Sequence, residues 1–135
     1  MRVVILGSSL PALEYAHNTL DKTPSTRVTV YTEDAEVGFP ETPLSEELVL
    51  SEVMDSIPSN WYSSIPDGID WNIPSTSASS WLSKSMAIRL ASRGGRFLLR
   101  TIILNIDEDR QEVSFRGGGS APFGVDEYDE LQDFR

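Results

Sequence analysis

The chain has 135 residues, 39% of them hydrophobic, which is enough for one domain with a modest core. Its 21 acidic and 11 basic residues leave a net charge of −10, which argues against nucleic acid and anionic membranes as partners because both need a basic surface. The lack of cysteine and the single histidine exclude disulfides, thiolate chemistry and zinc sites built from His and Cys.

The N-terminal part of the chain has the order strand, glycine turn, helix, strand. A continuous apolar run predicts a buried strand over Arg2–Leu6, and Gly7 interrupts it. Apolar residues at helical spacing predict a helix over Leu10–Lys22, with a proline tolerated in its first turn. β-Branched and aromatic residues predict a second strand over residues 27–32. This is one βαβ unit, whose two strands should be parallel.

The middle of the chain has weaker signals. Residues 33–43 are predicted to form a polar loop, and residues 44–54 a helix with Ser45 as its cap. Residues 55–80 are rich in serine and proline, and no regular structure is assigned to them. An irregular loop of this length inside a domain is usually functional or mobile.

The C-terminal part predicts a helix and then an antiparallel unit. Residues 81–93 have the pattern of a helix that two glycines terminate. Residues 96–106 are predicted to be one long strand, with return strands at 112–115 and 122–128, and residues 129–135 a polar tail. The predicted fold is α/β: a Rossmann-like parallel sheet with helices and a small antiparallel β-meander, in one dinucleotide-binding-type domain spanning residues 1–135.

The segment with chemical content is the turn between the first strand and the first helix. A dinucleotide fingerprint is G-x-G-x-x-G at this place, with glycines for the turn, the approach of the pyrophosphate and helix packing. Here the pattern is Gly7-x-Ser9-x-x-Ala12. We therefore take Gly7, Ser8, Ser9, Leu10 and Ala12 as candidate cofactor-binding residues, at a helix N-terminus that offers N–H groups to phosphate.

Two departures from the fingerprint leave alternatives open. Ser9 places a Cβ where the pyrophosphate should lie close, so its hydroxyl binds a phosphate or the turn is a plain βαβ connection that binds nothing. The ribose-binding acid is expected near Thr32, yet the available acids are Glu33 and Asp34. Glu33 is a candidate only if the second strand ends before it, and it is otherwise a solvated loop residue.

Four stretches carry a resemblance to a known family. They are residues 4–16 (Val-Ile-Leu-Gly-Ser-Ser-Leu-Pro-Ala-Leu-Glu-Tyr-Ala), residues 28–38 with a Val-Gly at their end, residues 90–107, and residues 112–129, which end in Tyr-Asp. Their order and spacing resemble the FAD-binding oxidoreductases of the glutathione-reductase-like group, which includes aromatic hydroxylases, lycopene cyclases and amine oxidases. The family usually has Glu where this chain has Thr32.

The resemblance implies a role for each stretch. Thr32 and Glu33 would lie at the ribose and the backbone near Ile103 against adenine, and the Tyr-Asp pair would lead back to the main sheet. FAD is the implied cofactor. The chain lacks the family's later Gly-Asp motif and substrate domain, so the resemblance implies an incomplete module: a fragment or subunit of a flavin-dependent oxidoreductase with no catalytic residues of its own.

Other functions and partners are also considered. One alternative is a non-catalytic interaction domain whose nucleotide site has decayed. Another is a small NAD(P)-binding enzyme, but the sequence places no acid–base residue that would support catalysis. An incomplete sheet would expose strand edges, so a homo-oligomer or a completing partner chain is expected. No apolar run is long enough for a membrane span or a signal peptide, so we expect a cytoplasmic protein that does not bind membranes.

Three further groups of residues have a functional and a structural interpretation. The aromatic residues Trp61, Tyr62, Trp71 and Trp81 could line a ligand surface but are more typical of a core or a packed loop. The acidic cluster within residues 126–133 lacks the spacing of a calcium loop, and a solvated tail is expected there instead. His17 is interpreted as a structural histidine inside the first helix, and no metal site is expected.

Overall fold

A four-stranded parallel sheet organises the chain. The computed structural model describes residues 1–38, 47–64, 67–117 and 123–135. Within these residues the parallel sheet has the strand order β3-β2-β1-β7, and a separate antiparallel sheet has the order β4-β5-β6. The predicted fold class is therefore confirmed: a parallel sheet with helices and a small antiparallel meander.

The described residues form seven strands, three α-helices and two 3₁₀ turns. The strands are β1 (Arg2–Leu6), β2 (Arg27–Tyr31), β3 (Arg96–Leu98), β4 (Thr101–Asp107), β5 (Glu112–Gly117), β6 (Gly124–Glu127) and β7 (Glu130–Asp133). The helices are α1 (Leu10–Lys22), α2 (Leu50–Val53) and α3 (Thr76–Ser92), and single 3₁₀ turns lie at Met54–Ser56 and Ser59–Trp61.

The predicted βαβ unit is confirmed. β1 and α1 have the predicted bounds, and β2 ends one residue earlier than predicted, at Tyr31. β1 and β2 are parallel and in register from Arg2 opposite Arg27 to Leu6 opposite Tyr31. Local signals suffice here because an apolar run, a glycine and a helical period all agree.

The long helix before β3, α3, begins earlier than predicted. α3 starts at Thr76, five residues before the predicted start, because the hydroxyl of Ser75 caps it by accepting from the N–H of Ala78 at 3.3 Å. At its other end Gly94 takes a positive φ of 96°, and the N–H of Gly95 donates to the carbonyl of Leu90 at 2.9 Å. This is the helix-ending geometry that the two glycines predict.

The middle of the chain is less helical than predicted at one place and more ordered at another. The helix predicted over residues 44–54 is described from residue 47 onward, and within that part the α-helical residues are Leu50–Val53; Ser45 lies outside the described residues. The stretch left without regular structure contains the 3₁₀ turn Ser59–Trp61 and the start of α3.

The strand predicted over residues 96–106 is two strands in two sheets. β3 lies in the parallel sheet and β4 begins the meander. Between them Arg100 has a φ of 49°, and its N–H donates to the carbonyl of Asp34 at 3.0 Å. The N–H of Thr101 donates to the carbonyl of Thr32 at 2.9 Å. These bonds to the segment after β2 turn the chain out of the parallel sheet, although its apolar sequence is continuous.

The predicted polar tail is wrong for residues 130–133. They form β7, which lies parallel to β1, with Val3 opposite Glu130 and Leu6 opposite Asp133. The resemblance implied this return to the main sheet after the Tyr-Asp pair, whereas composition alone argued for a solvated tail. Backbone pairing with a buried strand overrides the polar side chains.

Each face of the parallel sheet carries its own core. On one face Val3 and Ile5 pack with α1, α3 and the segment around α2. On the other face Val4, Leu6 and Tyr31 pack with Val113 and Tyr128 of the meander side. The alternation of β1 side chains between these two cores places the helices on one face of the sheet and the meander on the other.

Candidate functional site

A cleft of about 860 Å³ opens at the carboxyl ends of β1, β2 and β7. Its lining includes Gly7 after β1, Thr32 after β2 and Asp133 at the end of β7. The strand order turns here, since β2 and β3 extend the sheet on one side of β1 and β7 on the other. Open α/β sheets bind ligands in the crevice at such a switch point. The volume is that of a small-molecule site.

Gly7 forms the floor of the cleft and needs to be glycine. Its φ is 101°, a region that side-chain-bearing residues rarely adopt. Its N–H donates to the carbonyl of Tyr31 at 2.8 Å, which joins the turn to β2. A Cβ on Gly7 would lie 3.3 Å from the backbone carbonyl group of Phe134. The turn is therefore specified both by its dihedral angle and by the chain that packs behind it.

The start of α1 faces the cleft. Ser9, Leu10 and Pro11 line it, whereas Ala12 is fully buried in the core on the helix side. Ser9 is the N-cap residue, yet its hydroxyl accepts no capping hydrogen bond among the described residues. The first N–H groups of a helix have no intrahelical acceptor and lie at its positive end, but Pro11 contributes none. The hydroxyl of Ser9 is thus available to a ligand.

Three side chains form a hydrogen-bonded triangle beside Gly7. The hydroxyl of Ser8 donates to Thr32 Oγ1 at 3.0 Å and lies 3.3 Å from Asp34 Oδ2. Thr32 Oγ1 is also 3.3 Å from that carboxylate oxygen and accepts from the backbone N–H of Asp34 at 3.2 Å. Thr32 is buried, so it holds the exposed Asp34 carboxylate at the mouth of the cleft.

The acid predicted for this position was Glu33. β2 ends at Tyr31, so the condition set for Glu33 is met, and Glu33 lines the cleft as an exposed residue. Asp34 is the acid that the hydrogen bonds orient. The sequence signal for Asp34 is Thr32 two residues earlier, because a threonine hydroxyl can accept from the backbone N–H two residues on.

The far walls come from α3 and the meander. Ser79, Ser80 and Ser83 of α3 line one side, and Thr101 and Ile103 of β4 line another. The segment after β2 holds the α3 wall in place. The hydroxyl of Ser80 donates to the carbonyl of Gly38, and a salt bridge joins Lys84 to Glu36. The sequence does not point to these serines, because no motif marks them.

An ion pair between Asp133 and Arg135 lies on the β7 side of the cleft. Arg135 contacts both carboxylate oxygens of Asp133, at 3.0 and 2.9 Å. This pair holds the pKa of Asp133 below its usual value and raises the pKa of Arg135. Asp133, Glu33 and Asp34 set three carboxylates against one guanidinium, so the cleft is acidic overall.

The structure brings most of the predicted site together. Seven of the predicted residues line the cleft, namely Gly7, Ser8, Ser9, Leu10, Thr32, Glu33 and Ile103. The eighth, Ala12, packs beneath it in the core. Contact of these residues with a cofactor remains a prediction.

The aromatic residues and His17 are part of the packed fold. The four aromatic residues at 61, 62, 71 and 81 pack against the helix-side core, which confirms their structural interpretation. His17 is buried and hydrogen-bonded. Within the described residues no group of three His, Cys, Asp or Glu side chains could hold a metal ion, and no helix is long and apolar enough to cross a membrane.

Comparison with known proteins finds the fold but not a family. No protein-family model matches the chain, and no curated protein matches it in sequence. Among solved structures, a water-forming NADH oxidase from Lactobacillus brevis bound to NADH matches with a TM-score of 0.63 at 17% identity, over 98% of this chain and 24% of that one.

Two further structures match in the same way. An anhydrotetracycline hydroxylase from Streptomyces rimosus has a TM-score of 0.62 at 14% identity, over 98% of this chain and 31% of that one. A flavoprotein/dehydrogenase from Cytophaga hutchinsonii has 0.63 at 11%, over 98% and 39%. The chain thus has the Rossmann-type fold found in FAD- and NAD(P)-dependent oxidoreductases, and it spans about a quarter to two fifths of the length of these three structures.

Proposed function

We propose that the chain binds an adenine dinucleotide of the FAD type in the cleft at the carboxyl ends of β1, β2 and β7. It acts as a module of a flavin-dependent oxidoreductase of the glutathione-reductase-like group and has no catalysis of its own. The observation that carries the proposal is the positive φ of Gly7, at the turn from β1 into α1 and on the floor of an 860 Å³ cleft.

Each part of the ligand has a partner of suitable chemistry. The pyrophosphate would lie over Gly7 and the N-terminus of α1, where N–H groups and the helix dipole favour negative charge. The ribose hydroxyls would donate to the carboxylate of Asp34, which Ser8 and Thr32 orient. Adenine would lie against the backbone near Ile103, on the wall that β4 provides.

The first experiment is an NMR titration of the whole chain with ADP and with FAD. Binding should shift the amide signals of Ser8, Ser9, Leu10 and Ala12 and those of Thr32 to Asp34. The absence of shifts at these amides at millimolar ligand would overturn the proposal. Protein supplied with FAD or NAD(P)H should also show no oxidase or reductase turnover, because redox chemistry needs the reactive ring held against a substrate.

A matched pair of threonine variants, one just after β2 and one within it, locates the site. Thr32→Val removes the Oγ1 that joins Ser8 to Asp34, and we expect ADP affinity to fall by up to about tenfold, the value of one hydrogen bond. Thr29→Val makes the same chemical change in the middle of β2, outside the cleft lining, and should leave the affinity unchanged. Equal losses in both variants would argue for a general effect on β2 rather than a contact with the ligand.

A second function is favoured by the charge of the cleft. Its three carboxylates, the Cβ of Ser9 and the missing N–H of Pro11 all oppose a pyrophosphate. The second candidate is therefore a non-catalytic interaction domain with a decayed nucleotide site. A folded protein that gives no ADP or FAD shifts at the cleft would favour this candidate.

The expected homo-oligomer or completing chain is a separate proposal. The meander side exposes large apolar side chains, at Ile102, Leu104, Phe123 and Val125. Exposed apolar groups of this kind are typical of surfaces that bind another chain. Light scattering should detect a dimer or larger species, and a monomer at high concentration would contradict the homo-oligomer.

A further inference from the structure

The only histidine of the chain, His17 of α1, is fully buried against α3. Nε2 of His17 lies 2.8 Å from the carbonyl oxygen of Met86, and Nδ1 lies 2.8 Å from the guanidinium of Arg93. A carbonyl can only accept a hydrogen bond and a guanidinium can only donate. Nε2 therefore carries the proton and Nδ1 does not. This geometry requires the neutral imidazole.

The same histidine touches a cluster that holds the 3₁₀ turn Ser59–Trp61 on the helices. The Trp61 ring stacks on the imidazole, with centroids 5.7 Å apart and planes at 15°. Asp21 Oδ2 accepts from the indole N–H of Trp61 at 2.6 Å, and Asp21 Oδ1 accepts from Arg93 at 2.6 Å. Arg93 thus links the imidazole to the carboxylate that binds Trp61. We call His17, Asp21, Trp61 and Arg93 the latch.

We propose that the latch is pH-sensitive: protonation of His17 breaks its contact with Arg93 and releases Trp61 from α1 and α3. A second proton on the imidazole would place an N–H at Nδ1, directly against the donating guanidinium of Arg93. Two positive groups would then face each other in a buried site, which is unfavourable. The proposal does not depend on dinucleotide binding.

The charged groups around the imidazole determine how easily His17 takes up a proton. α1 contributes Asp21, α3 contributes Arg89, and the residue after α3 is Arg93. The turn Ser59–Trp61 contributes no charge. Two cations therefore oppose protonation and one carboxylate favours it, and that carboxylate already accepts from Arg93 and Trp61. Repulsion by the arginines adds to the cost of burying a charge.

The pH window follows from the direction of the shift. Burial, followed by the charge of Arg93, lowers the pKa of His17 below its ordinary value of 6.5, although the Met86 carbonyl acts in the other direction. Above pH 6.5 the imidazole is neutral in the folded and the unfolded chain, and the latch makes its full contribution to the free energy of unfolding. As the pH falls below 6.5, the unfolded chain takes up the proton first, so stability is lost down to the folded pKa. Asp21 stays charged in this window because, although burial raises its pKa, hydrogen bonds from Trp61 and Arg93 lower it overall.

The test is a pH titration of the full chain followed by NMR. The chain has one histidine and three tryptophans, so the imidazole signals belong to His17 and the indole N–H signals can be assigned individually. The Trp61 indole signal should move with the same midpoint as the imidazole, below pH 6.5, while Trp71 and Trp81 stay unchanged. An imidazole midpoint at or above 6.5, no imidazole titration, or a Trp61 signal that does not follow it would overturn the proposal. Movement of all three indoles together would mean general unfolding and would also overturn it.

A non-titrating variant is the matched control. The side-chain amide of His17→Gln can both donate and accept, as the neutral imidazole does, but it takes up no proton in this range. The Trp61 shift should disappear in this variant between pH 7 and pH 5. Its persistence would assign the change to another group. If the variant fails to fold, the titration of the unchanged chain still decides the proposal.

Discussion

The cleft lies at the N-terminus of α1 and the latch on its C-terminal half, and the two use their polar groups in opposite ways. At the cleft, Ser9 is exposed and its hydroxyl caps nothing among the described residues. At the latch, His17 is fully buried and both of its ring nitrogens have partners. Polar groups at one end of the helix are thus available to a ligand, whereas those at the other end are used by the fold. Substitutions in the cleft should change binding more than stability, and substitutions in the latch the reverse.

The largest effect on stability is expected at the latch. His17→Ala leaves the Met86 carbonyl and Arg93 without their partner and opens a cavity, so we expect a loss of about 3 kcal/mol in the free energy of unfolding. Urea denaturation measures it. Asn18→Ala, at the next and exposed position of α1, should change stability little. ADP affinity should be unchanged in both variants, and a loss of affinity in His17→Ala would break the separation of the two ends.

A pair of glycines with similar backbone angles separates strain from binding. Gly7 has a φ of 101° and Gly94 a φ of 96°, so alanine at either position should cost about 1–3 kcal/mol. Gly7→Ala should also greatly reduce ADP binding, because the turn beneath the ligand is distorted. Gly94→Ala should not, since it ends α3 and an added Cβ would meet no described atom within 4 Å. Equal affinities in the two folded variants would contradict the role of the Gly7 turn.

The smallest effect on stability is expected at Ser9. Ser9→Gly removes the Cβ that faces the pyrophosphate, so ADP affinity should rise, while stability should change by only a few tenths of a kcal/mol. Ser9→Ala keeps the Cβ and removes the hydroxyl, which separates the two contributions. Calorimetric titration measures both affinities. If Ser9→Gly weakens binding and Ser9→Ala weakens it equally, the hydroxyl is a ligand contact and the Cβ is no obstacle.

Much of the N-terminal βαβ unit was predictable from local sequence. The bounds of β1 and α1 follow from a continuous apolar run, a glycine and a helical repeat that agree with one another. Seven of the eight predicted site residues line one cleft, because strand ends and the residues after them meet at one edge of a parallel sheet. The role of each in binding stays a prediction.

The remaining elements depended on contacts between residues far apart in sequence. The apolar run through β3 and β4 has no internal signal for a break, and the break is made by hydrogen bonds from Arg100 and Thr101 to the segment after β2. Ser79 and Ser80 have no motif, and only the packing of α3 on the 36–38 turn places them in the cleft.

The sequence by itself determined the βαβ unit, the glycine turn and the α/β class, because these rest on periodicity and on backbone conformations that neighbouring residues impose. Only the tertiary structure decided that the polar residues Glu130–Asp133 form a strand, since pairing with β1 supplies hydrogen bonds that their own side chains do not signal. It also decided which nitrogen of His17 carries the proton, because the fold brings the Met86 carbonyl to Nε2 and the Arg93 guanidinium to Nδ1.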